Sequence, residues 1–157
     1  MTARAIRIGV ISDTHGLLRP EAREALRGSD LILHAGDICG FEIVEELRGI
    51  APVTAVRGNN DHDPWGSRLP ETVTIEVGGV RIHMLHDLHQ LAIDPVAEGV
   101  DVVVAGHSHQ PLRERRAGIL HFNPGSAGPR RFRLPVSVGR LAVRAGRVSA
   151  RVVVLAP

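Results

Sequence analysis

The chain has 157 residues, of which 43% are hydrophobic, and a formal net charge of +2. Its single cysteine, Cys39, excludes an intrachain disulfide and a zinc–thiolate cluster, and the lack of lysine excludes Schiff-base chemistry and a P-loop. Aromatic residues are too sparse for a base-stacking surface, so we expect no stable binding of nucleic acid.

The length predicts a single domain over residues 1–157. No apolar run approaches the ~18 residues that a membrane span needs, so no membrane association is expected. The N-terminus has no signal-peptide pattern, and the expected compartment is the cytoplasm.

Apolar strands alternate with amphipathic helices in the first half of the chain. In chain order the pattern predicts a strand, a helix, a strand, a helix and a strand over residues 5–12, 19–28, 31–35, 41–48 and 53–56. This β-α-β-α-β order is typical of a parallel sheet covered by helices.

The second half of the chain is richer in strands. Residues 72–77 and 80–86 predict a hairpin around Gly78-Gly79, and residues 91–98 predict a helix that contains Pro95. Further strands are predicted over residues 101–105, 111–115, 119–122, 137–144 and 147–155. The prediction is an α/β protein in which two mixed sheets pack face to face, with helices outside.

Five short polar clusters each follow a predicted strand. They are Ser-Asp-Thr-His, His-Ala-Gly-Asp, Gly-Asn-Asn-Asp, Met-Leu-His-Asp and Gly-His-Ser-His. Their candidate metal ligands are Asp13, His15, Asp37, Asn59, His86, His107 and His109. Functional sites in open α/β sheets form beyond the carboxyl ends of the strands. Oxygen and imidazole ligands at such an edge predict a pair of divalent cations and phosphoester hydrolysis.

The spacing suggests how these ligands would converge. In extended backbone, Asp13 and His15 would point the same way. Two cations about 3.5–4 Å apart need a shared anionic ligand, and Asp37 is the natural choice because Asp13 already pairs with His15. A water shared by both cations would be acidified and would act as the nucleophile. Glycines before Asp37, Asn59 and His107 would allow tight turns.

Other polar residues are expected to have smaller roles. His34 and His83 are expected to be structural, and His34 to be buried and hydrogen-bonded. Cys39 is expected to be a small packed residue. His62 and Asp63 are expected to be exposed. The roles of Asp87, His89 and His121 stay open: Asp87 either orients a ligand or caps the following helix.

The ordered motifs Asp-x-His, Gly-Asp, Gly-Asn-x-Asp, His and Gly-His-x-His resemble the calcineurin-like metallophosphoesterase family. Gly-Asn-Asn-Asp and Asn-Pro-Gly-Ser resemble its small YfcE-like phosphodiesterase branch. The resemblance implies a four-layer α-β-β-α sandwich with two divalent metal ions. It assigns Asp13, His15, Asp37 and His109 to one ion, and Asp37, Asn59, His86 and His107 to the other. Manganese is the usual ion in such enzymes, with nickel, iron or zinc as substitutes.

Many relatives carry Gly-Asn-His-Asp, in which the histidine is a general acid, whereas this chain has Asn60 at that position. Asparagine has no titratable proton, which favours diesters with good leaving groups. Asn60 and Asp61 are the catalytic candidates, Asp61 by supporting the Asn59–Asn60 turn. Asn60 and Arg130 are candidates for contact with the substrate.

The sequence therefore predicts a metal-dependent phosphodiesterase that acts on a small phosphodiester. One alternative is a non-catalytic scaffold, because a eukaryotic retromer subunit resembles this fold and uses it for protein interaction. Another is a phosphomonoesterase, against which Asn60 argues. The C-terminal strand edges would also allow a homo-oligomer.

Overall fold

The computed structural model describes residues 4–155, which form ten strands and two α-helices. The strands are β1 (Ile6–Ile11), β2 (Leu31–His34), β3 (Val53–Ala55), β4 (Thr72–Val77), β5 (Val80–Leu85), β6 (Val102–Val104), β7 (Leu112–Arg116), β8 (Ile119–Asn123), β9 (Ser137–Arg144) and β10 (Arg147–Val154). The helices are α1 (Pro20–Ala25) and α2 (Phe41–Arg48), and two single 3-10 turns cover Gly66–Arg68 and Leu88–Gln90.

The strands form two five-stranded mixed sheets. The first has the order β10-β9-β1-β2-β3, and its strands β1, β2 and β3 are parallel. The second has the order β4-β5-β6-β8-β7, and its strands β5, β6 and β8 are parallel. The carboxyl ends of each parallel set therefore lie together at one edge, which is where the predicted polar clusters occur.

Apolar side chains from both sheets form one buried cluster, which includes Val10, Leu33, Ile82, Val104 and Phe122. A second buried cluster joins the first sheet to α1 and α2. Because β1 and β2 lie inside the first sheet and bury both faces, they are almost uniformly apolar rather than alternating. The predicted pair of mixed sheets with outer helices is confirmed.

The predicted helix over residues 91–98 is wrong. The segment forms one turn, in which Asp94 Oδ1 accepts hydrogen bonds from the backbone N–H groups of Val96 and Ala97. The turn stops at Gly99, whose φ is +68°. Because Asp94 caps the turn next to Pro95 and the left-handed Gly99 ends it, the segment does not continue into a second turn. The second sheet is consequently covered on its outer face by a loop that packs Leu88, Leu91 and Ile93 against it.

Within residues 4–155, none of the helices has the length and apolar character needed to span a bilayer.

Candidate metal centre

Left-handed backbone positions five of the candidate ligands. Asp13, His15, Asp37, His107 and His109 have φ values of 55°, 46°, 56°, 68° and 61°. Residues other than glycine rarely adopt this left-handed backbone conformation, and residues held in it concentrate at functional sites. The expectation that Asp13 and His15 converge through extended backbone was wrong, since β1 ends at Ile11.

Backbone hydrogen bonds hold this unusual geometry. The N–H groups of Asp13, His15 and Gly16 donate to the carbonyls of Gly36, Asp37 and Ile38 at 3.0, 2.9 and 2.9 Å. The loops that follow β1 and β2 therefore stay paired beyond the ends of the strands. This pairing brings Asp13 and Asp37 to the same point.

Two glycines allow the loops to approach closely. A Cβ on Gly58 would lie 2.2 Å from both the backbone nitrogen and Oδ1 of Asp37. A Cβ on Gly106 would lie 2.0 Å from Ser12 Oγ and 2.7 Å from Asp13 Oδ2. Neither glycine has positive φ, so both are needed for space rather than for conformational freedom.

Asp13 is fully buried at the centre of the cluster. Its Oδ2 accepts hydrogen bonds from Ser12 Oγ at 2.7 Å and from the backbone N–H of His107 at 3.0 Å. Its Oδ1 has no hydrogen-bond partner within residues 4–155, yet lies 3.4 Å from His109 Nε2 and 3.7 Å from His15 Nε2. Burial opposes ionisation, but these imidazoles outweigh it and hold the pKa of Asp13 well below its usual range.

Asp37 faces the same space from the neighbouring loop. Its Oδ2 lies 3.3 Å from His86 Nε2 and 3.7 Å from His15 Nε2. Asn60 donates to it twice, from the backbone N–H to Oδ1 at 2.8 Å and from Nδ2 to Oδ2 at 3.0 Å. Although burial acts in the other direction, the bonds from His86 and Asn60 lower the pKa of Asp37.

His86 is oriented by the first sheet. Its Nδ1 donates to the Ala35 carbonyl at 2.7 Å, so the lone pair on Nε2 points towards the carboxylates. Burial lowers the pKa of His86, but the larger combined effect of Asp37 and Asp13 raises it. His107 Nδ1 lies 3.3 Å from His86 Nε2 and 3.1 Å from Asn59 Oδ1.

The structure thus brings all seven candidate ligands into one continuous set of contacts. His15 Nε2 and His109 Nε2 lie 3.3 Å apart. Two groups have ligand atoms within 4.8 Å of one another: Asp13 with His15 and His109, and Asp13 with Asp37 and His86. Asp13 belongs to both groups, and Asp37 contacts a histidine of each. Both carboxylates are therefore placed to be shared, where the sequence had favoured Asp37 alone.

Asp61 is buried beneath the cluster. Its Oδ2 accepts hydrogen bonds from the backbone N–H groups of Gly58 and Asp37, and its Oδ1 accepts them from Ile38 and Cys39, all between 2.8 and 3.0 Å. It joins the loop after β2 to the loop after β3. Asp61 was expected to support the Asn59–Asn60 turn, and its hydrogen bonds instead go to Gly58, which precedes that turn, and to the loop that carries Asp37.

A polar groove of about 520 Å³ opens beside the cluster, and its lining includes Asn59, His86 and His107. Arg57 also lines this groove, where it pairs with Glu71 and donates to the Ser67 carbonyl at 3.2 Å. The sequence interpretation missed Arg57, whose only signal is that it precedes Gly58-Asn59. Arg130 is exposed and is not among the residues that line the groove.

Some of the predictions for the other polar residues are confirmed, and the one for Cys39 is wrong. His34 is buried and bonded, His83 lies 2.8 Å from Thr74 Oγ1 through its Nδ1, and His62 and Asp63 are exposed. Asp87 caps the 3-10 turn by accepting from the backbone N–H of His89 at 3.0 Å. Cys39 is exposed rather than packed, because the loop turns at its φ of 59°. Partial burial and nearby Asp61 raise the pKa of its thiol to about 11.

The cluster fits divalent cations. Asp13 Oδ1 is a buried carboxylate oxygen without a hydrogen-bond donor in residues 4–155, and His109 Nε2 lies 3.4 Å from it. Carboxylate oxygen together with imidazole nitrogen suits manganese, iron, nickel or zinc. The fold and the cluster together define an α/β protein with a carboxylate–imidazole metal site.

Sequence comparison identifies the family. Residues 6–146 match the calcineurin-like phosphoesterase superfamily domain. The chain belongs to this superfamily, whose members bind divalent metals. It is 39% identical over 131 residues to a probable metallophosphoesterase of Methanothermobacter thermautotrophicus, covering 76% of each chain. It is 30% identical over 162 residues to the phosphodiesterase YfcE of Escherichia coli K12, covering 83% of this chain and 84% of YfcE. These relatives support a hydrolase.

Solved structures share the fold. Vacuolar protein sorting 29 of Cryptosporidium parvum superposes with a TM-score of 0.77 at 23% identity, covering 95% of this chain and 97% of that one. Vps29 of Entamoeba histolytica, solved in complex with Zn²⁺, superposes with a TM-score of 0.70 at 26% identity, covering 94% and 98%.

Proposed function

We propose that this protein is a phosphodiesterase that uses two divalent metal ions. The observation that carries the proposal is the convergence of two buried carboxylates with imidazole nitrogens, including the unpartnered Oδ1 of Asp13. The names of two relatives, metallophosphoesterase and phosphodiesterase, support the same reaction class.

The residues that would hold the ions follow from the contacts and from the family pattern. Asp13, His15, Asp37 and His109 would hold one ion, and Asp37, Asn59, His86 and His107 the other. When bound, the cations would supply an activated water as nucleophile and would offset the charge on the phosphoryl oxygens. We propose manganese as the native ion, with nickel, iron or zinc as substitutes.

The chain's own residues would prepare the site for a phosphate. The Asn60 side chain would hold the Asp37 carboxylate in one orientation through the 3.0 Å bond to Oδ2. The Arg57 guanidinium lines the groove, and its positive charge would attract an ester phosphate. Glu71 and Ser67 fix the position of the guanidinium. Arg57 therefore replaces Arg130 as the proposed substrate-binding arginine.

The position of Asn60 favours diesters over monoesters. Both of its nitrogens donate to Asp37, and it cannot transfer a proton to a poor leaving group. A small phosphodiester with a good leaving group needs no such proton. The groove of about 520 Å³ is open enough for a second ester arm.

Metal titration followed by an activity panel tests the proposal. Protein treated with a chelator would be titrated with Mn²⁺, Ni²⁺, Fe²⁺ and Zn²⁺ by calorimetry. It would then be assayed with a bis-aryl phosphodiester, an aryl monoester and a cyclic nucleotide. We expect two binding events per chain and turnover of diesters in preference to monoesters.

Two variants locate the reaction. Asp37→Ala and His107→Ala should each lower kcat/KM more than about 100-fold, since loss of outer partners alone costs roughly 10–100-fold. His83→Ala removes a histidine of β5 that contacts Thr74 on β4, the edge strand of the second sheet. This control variant should retain activity. Full activity in Asp37→Ala or His107→Ala would show that the site is elsewhere.

The likeness to Vps29 makes a non-catalytic scaffold the second candidate. The complete ligand set argues against it, because a scaffold does not require metal ligands on seven positions. Metal binding without turnover of any ester in the panel would favour the scaffold.

A further inference from the structure

An apolar hollow of about 260 Å³ lies beside the metal centre, at the end of the second sheet. Its wall includes Leu88, Val103, Leu112 and Phe122. Val103 belongs to the outer apolar cluster of this sheet, which only a loop covers.

His107 connects this hollow to the candidate metal centre. Its ring lines the hollow, while its Nδ1 lies 3.1 Å from Asn59 Oδ1 and 3.3 Å from His86 Nε2. His107 and Asp87 also line the polar groove that contains Arg57. A phosphate bound at the cluster would thus have one apolar and one polar space next to it. A phosphodiester has two alcohol arms to place in them, whereas a monoester has one.

Besides Asp87, His89, His107, Ser108, Gln110 and Asn123, the polar lining of the hollow includes His121. This residue of β8 lines the hollow and is only 8% exposed. Its Nδ1 is buried and has no hydrogen-bond partner within residues 4–155. Burial, assisted by Arg116, lowers the pKa of His121, so its imidazole is neutral at neutral pH. A buried polar atom without a partner costs free energy, so a hydrogen bond to this imidazole from an occupant of the hollow would be stabilising.

The size of the hollow limits what it can bind. Pockets for drug-sized ligands begin at roughly 300 Å³, so a cavity of about 260 Å³ suits a single ring system. A lining that combines apolar side chains with imidazoles matches a flat ring that has a polar edge.

We propose that this hollow binds an aromatic ring carried by one alcohol arm of the phosphodiester, with His121 hydrogen-bonding to the polar edge of the ring. The proposal rests on the proposed function, because the phosphate must bind at the metal centre. It makes Leu112, Val103 and His121 determinants of specificity that are distinct from the metal ligands.

Calorimetry with two non-hydrolysable probes tests the proposal without turnover. Zn²⁺-loaded protein would be titrated with methylphosphonate and with phenylphosphonate. We expect phenylphosphonate to bind about tenfold more tightly than methylphosphonate, because it buries part of an aromatic ring. Leu112→Trp fills the hollow and should reduce this preference to about twofold or less.

Leu91→Trp is the matched control. Leu91 packs on the same outer face but does not line the hollow, so the preference for the phenyl probe should persist. Metal titration of both variants checks that each is folded with an intact centre. Because Zn²⁺ is diamagnetic, methyl NMR can also locate the ring. Shifts of Leu88, Val103 and Leu112 methyls should appear with phenylphosphonate and not with methylphosphonate.

His121→Leu tests the polar contact. Wild-type protein should bind a hydroxyphenyl phosphonate more tightly than phenylphosphonate, and this difference should disappear in the variant. An unchanged difference would overturn the role given to His121.

The failures of the two proposals are distinguishable. If methylphosphonate binds but phenyl adds no affinity, or if Leu112→Trp leaves the preference intact, the ring site is wrong and the phosphodiesterase proposal stands. If the protein binds neither metal nor methylphosphonate, the proposed function itself fails.

Discussion

Asp61 controls the candidate metal centre without facing the ligands' shared space. Its carboxylate accepts four backbone hydrogen bonds, among them one from Asp37, which carries a candidate ligand, and one from Gly58, which precedes another. An aspartate is suited to this position because only a carboxylate offers two oxygens that accept in several directions. The position of the Asp37 carboxylate therefore depends on Asp61, which lies two residues after Asn59 in the sequence.

Asp61→Asn should weaken both folding and metal binding. Its amide replaces one acceptor with a donor that faces backbone N–H groups. We expect the free energy of unfolding to fall by ~1–3 kcal/mol and metal affinity to fall about 10–100-fold. Urea unfolding and calorimetry measure the two effects. Asp63→Asn is the control, because Asp63 accepts from Gly66 at 2.6 Å and its side chain makes no hydrogen bond to a candidate ligand within residues 4–155. Reduced stability with unchanged metal affinity would contradict the positioning role.

His34 lies under the same loops in a network that requires a neutral ring. Gly36 N–H donates to its Nδ1 at 3.1 Å, and its Nε2 lies 3.1 Å from Thr14 Oγ1, which itself donates to the Ile38 carbonyl. Since Thr14 already donates its proton, Nε2–H of His34 must donate to Thr14. Complete burial lowers the pKa of His34 from 6.5 to about 3.

This burial predicts acid destabilisation. The unfolded chain protonates His34 near 6.5, whereas the folded protein does so only near 3. The stabilising contribution is complete above the unfolded pKa and is lost as pH falls through that interval, by about 1.36 kcal/mol per pH unit. Urea unfolding in chelator between about pH 4.5 and 7.5 measures it. His34→Gln should show a slope shallower by about one proton, and equal slopes in both proteins would refute the assignment.

Strand patterns and turn residues predict most of the secondary structure. The hairpin of β4 and β5 follows from alternation around Gly78-Gly79, and α2 has the predicted bounds because Gly49 ends it. The helix predicted over residues 91–98 failed because Asp94 caps a single turn there. Capping by one side chain is a local competition that an apolar pattern does not reveal.

The candidate site is predictable in composition but not in geometry. The residue types and their positions after strands predict all seven candidate ligands that the fold brings together. The left-handed φ values of Asp13 and His15 depend on hydrogen bonds to Gly36 and Asp37, which lie on another strand's loop. Arg57 was missed for the same reason, because its place in the groove depends on Glu71 and Ser67.

Close approach of the loops after β2 and β3 can be tested at Gly58. Gly58→Ala would place a methyl group 2.2 Å from the Asp37 backbone nitrogen, so one loop must shift. We expect overpacking to lower the free energy of unfolding by ~1–3 kcal/mol, and metal affinity to fall more than about tenfold. Gly49→Ala is the control, because its Cβ would meet only the Glu46 carbonyl, at 3.2 Å. Equal metal affinity in both variants would show that the loop spacing does not set the site.

The metal centre lies between the two sheets rather than within one. Asp13 and Asp37 follow strands of the first sheet, whereas His86 and His109 follow strands of the second. Hydrogen bonds already cross this junction, among them those from His107 N–H to Asp13 and from His86 Nδ1 to the Ala35 carbonyl. Cations held by ligands of both sheets would add to these links.

Metal binding should therefore stabilise the whole protein. At a free metal concentration of about 100 Kd, the free energy of unfolding should rise by ~2.7 kcal/mol per site, which for this length corresponds to a Tm increase of roughly 5–10 °C. Hydrogen exchange should slow in both β1 and β6, because unfolding of either sheet would release the ion. Asp13→Asn and His109→Ala remove one ligand from each sheet, and each should abolish most of the increase. A cation that bound nonspecifically to surface carboxylates would stabilise both variants as much as wild type. That result would show that the ion does not bind between the two sheets, and that metal occupancy does not depend on how the sheets pack.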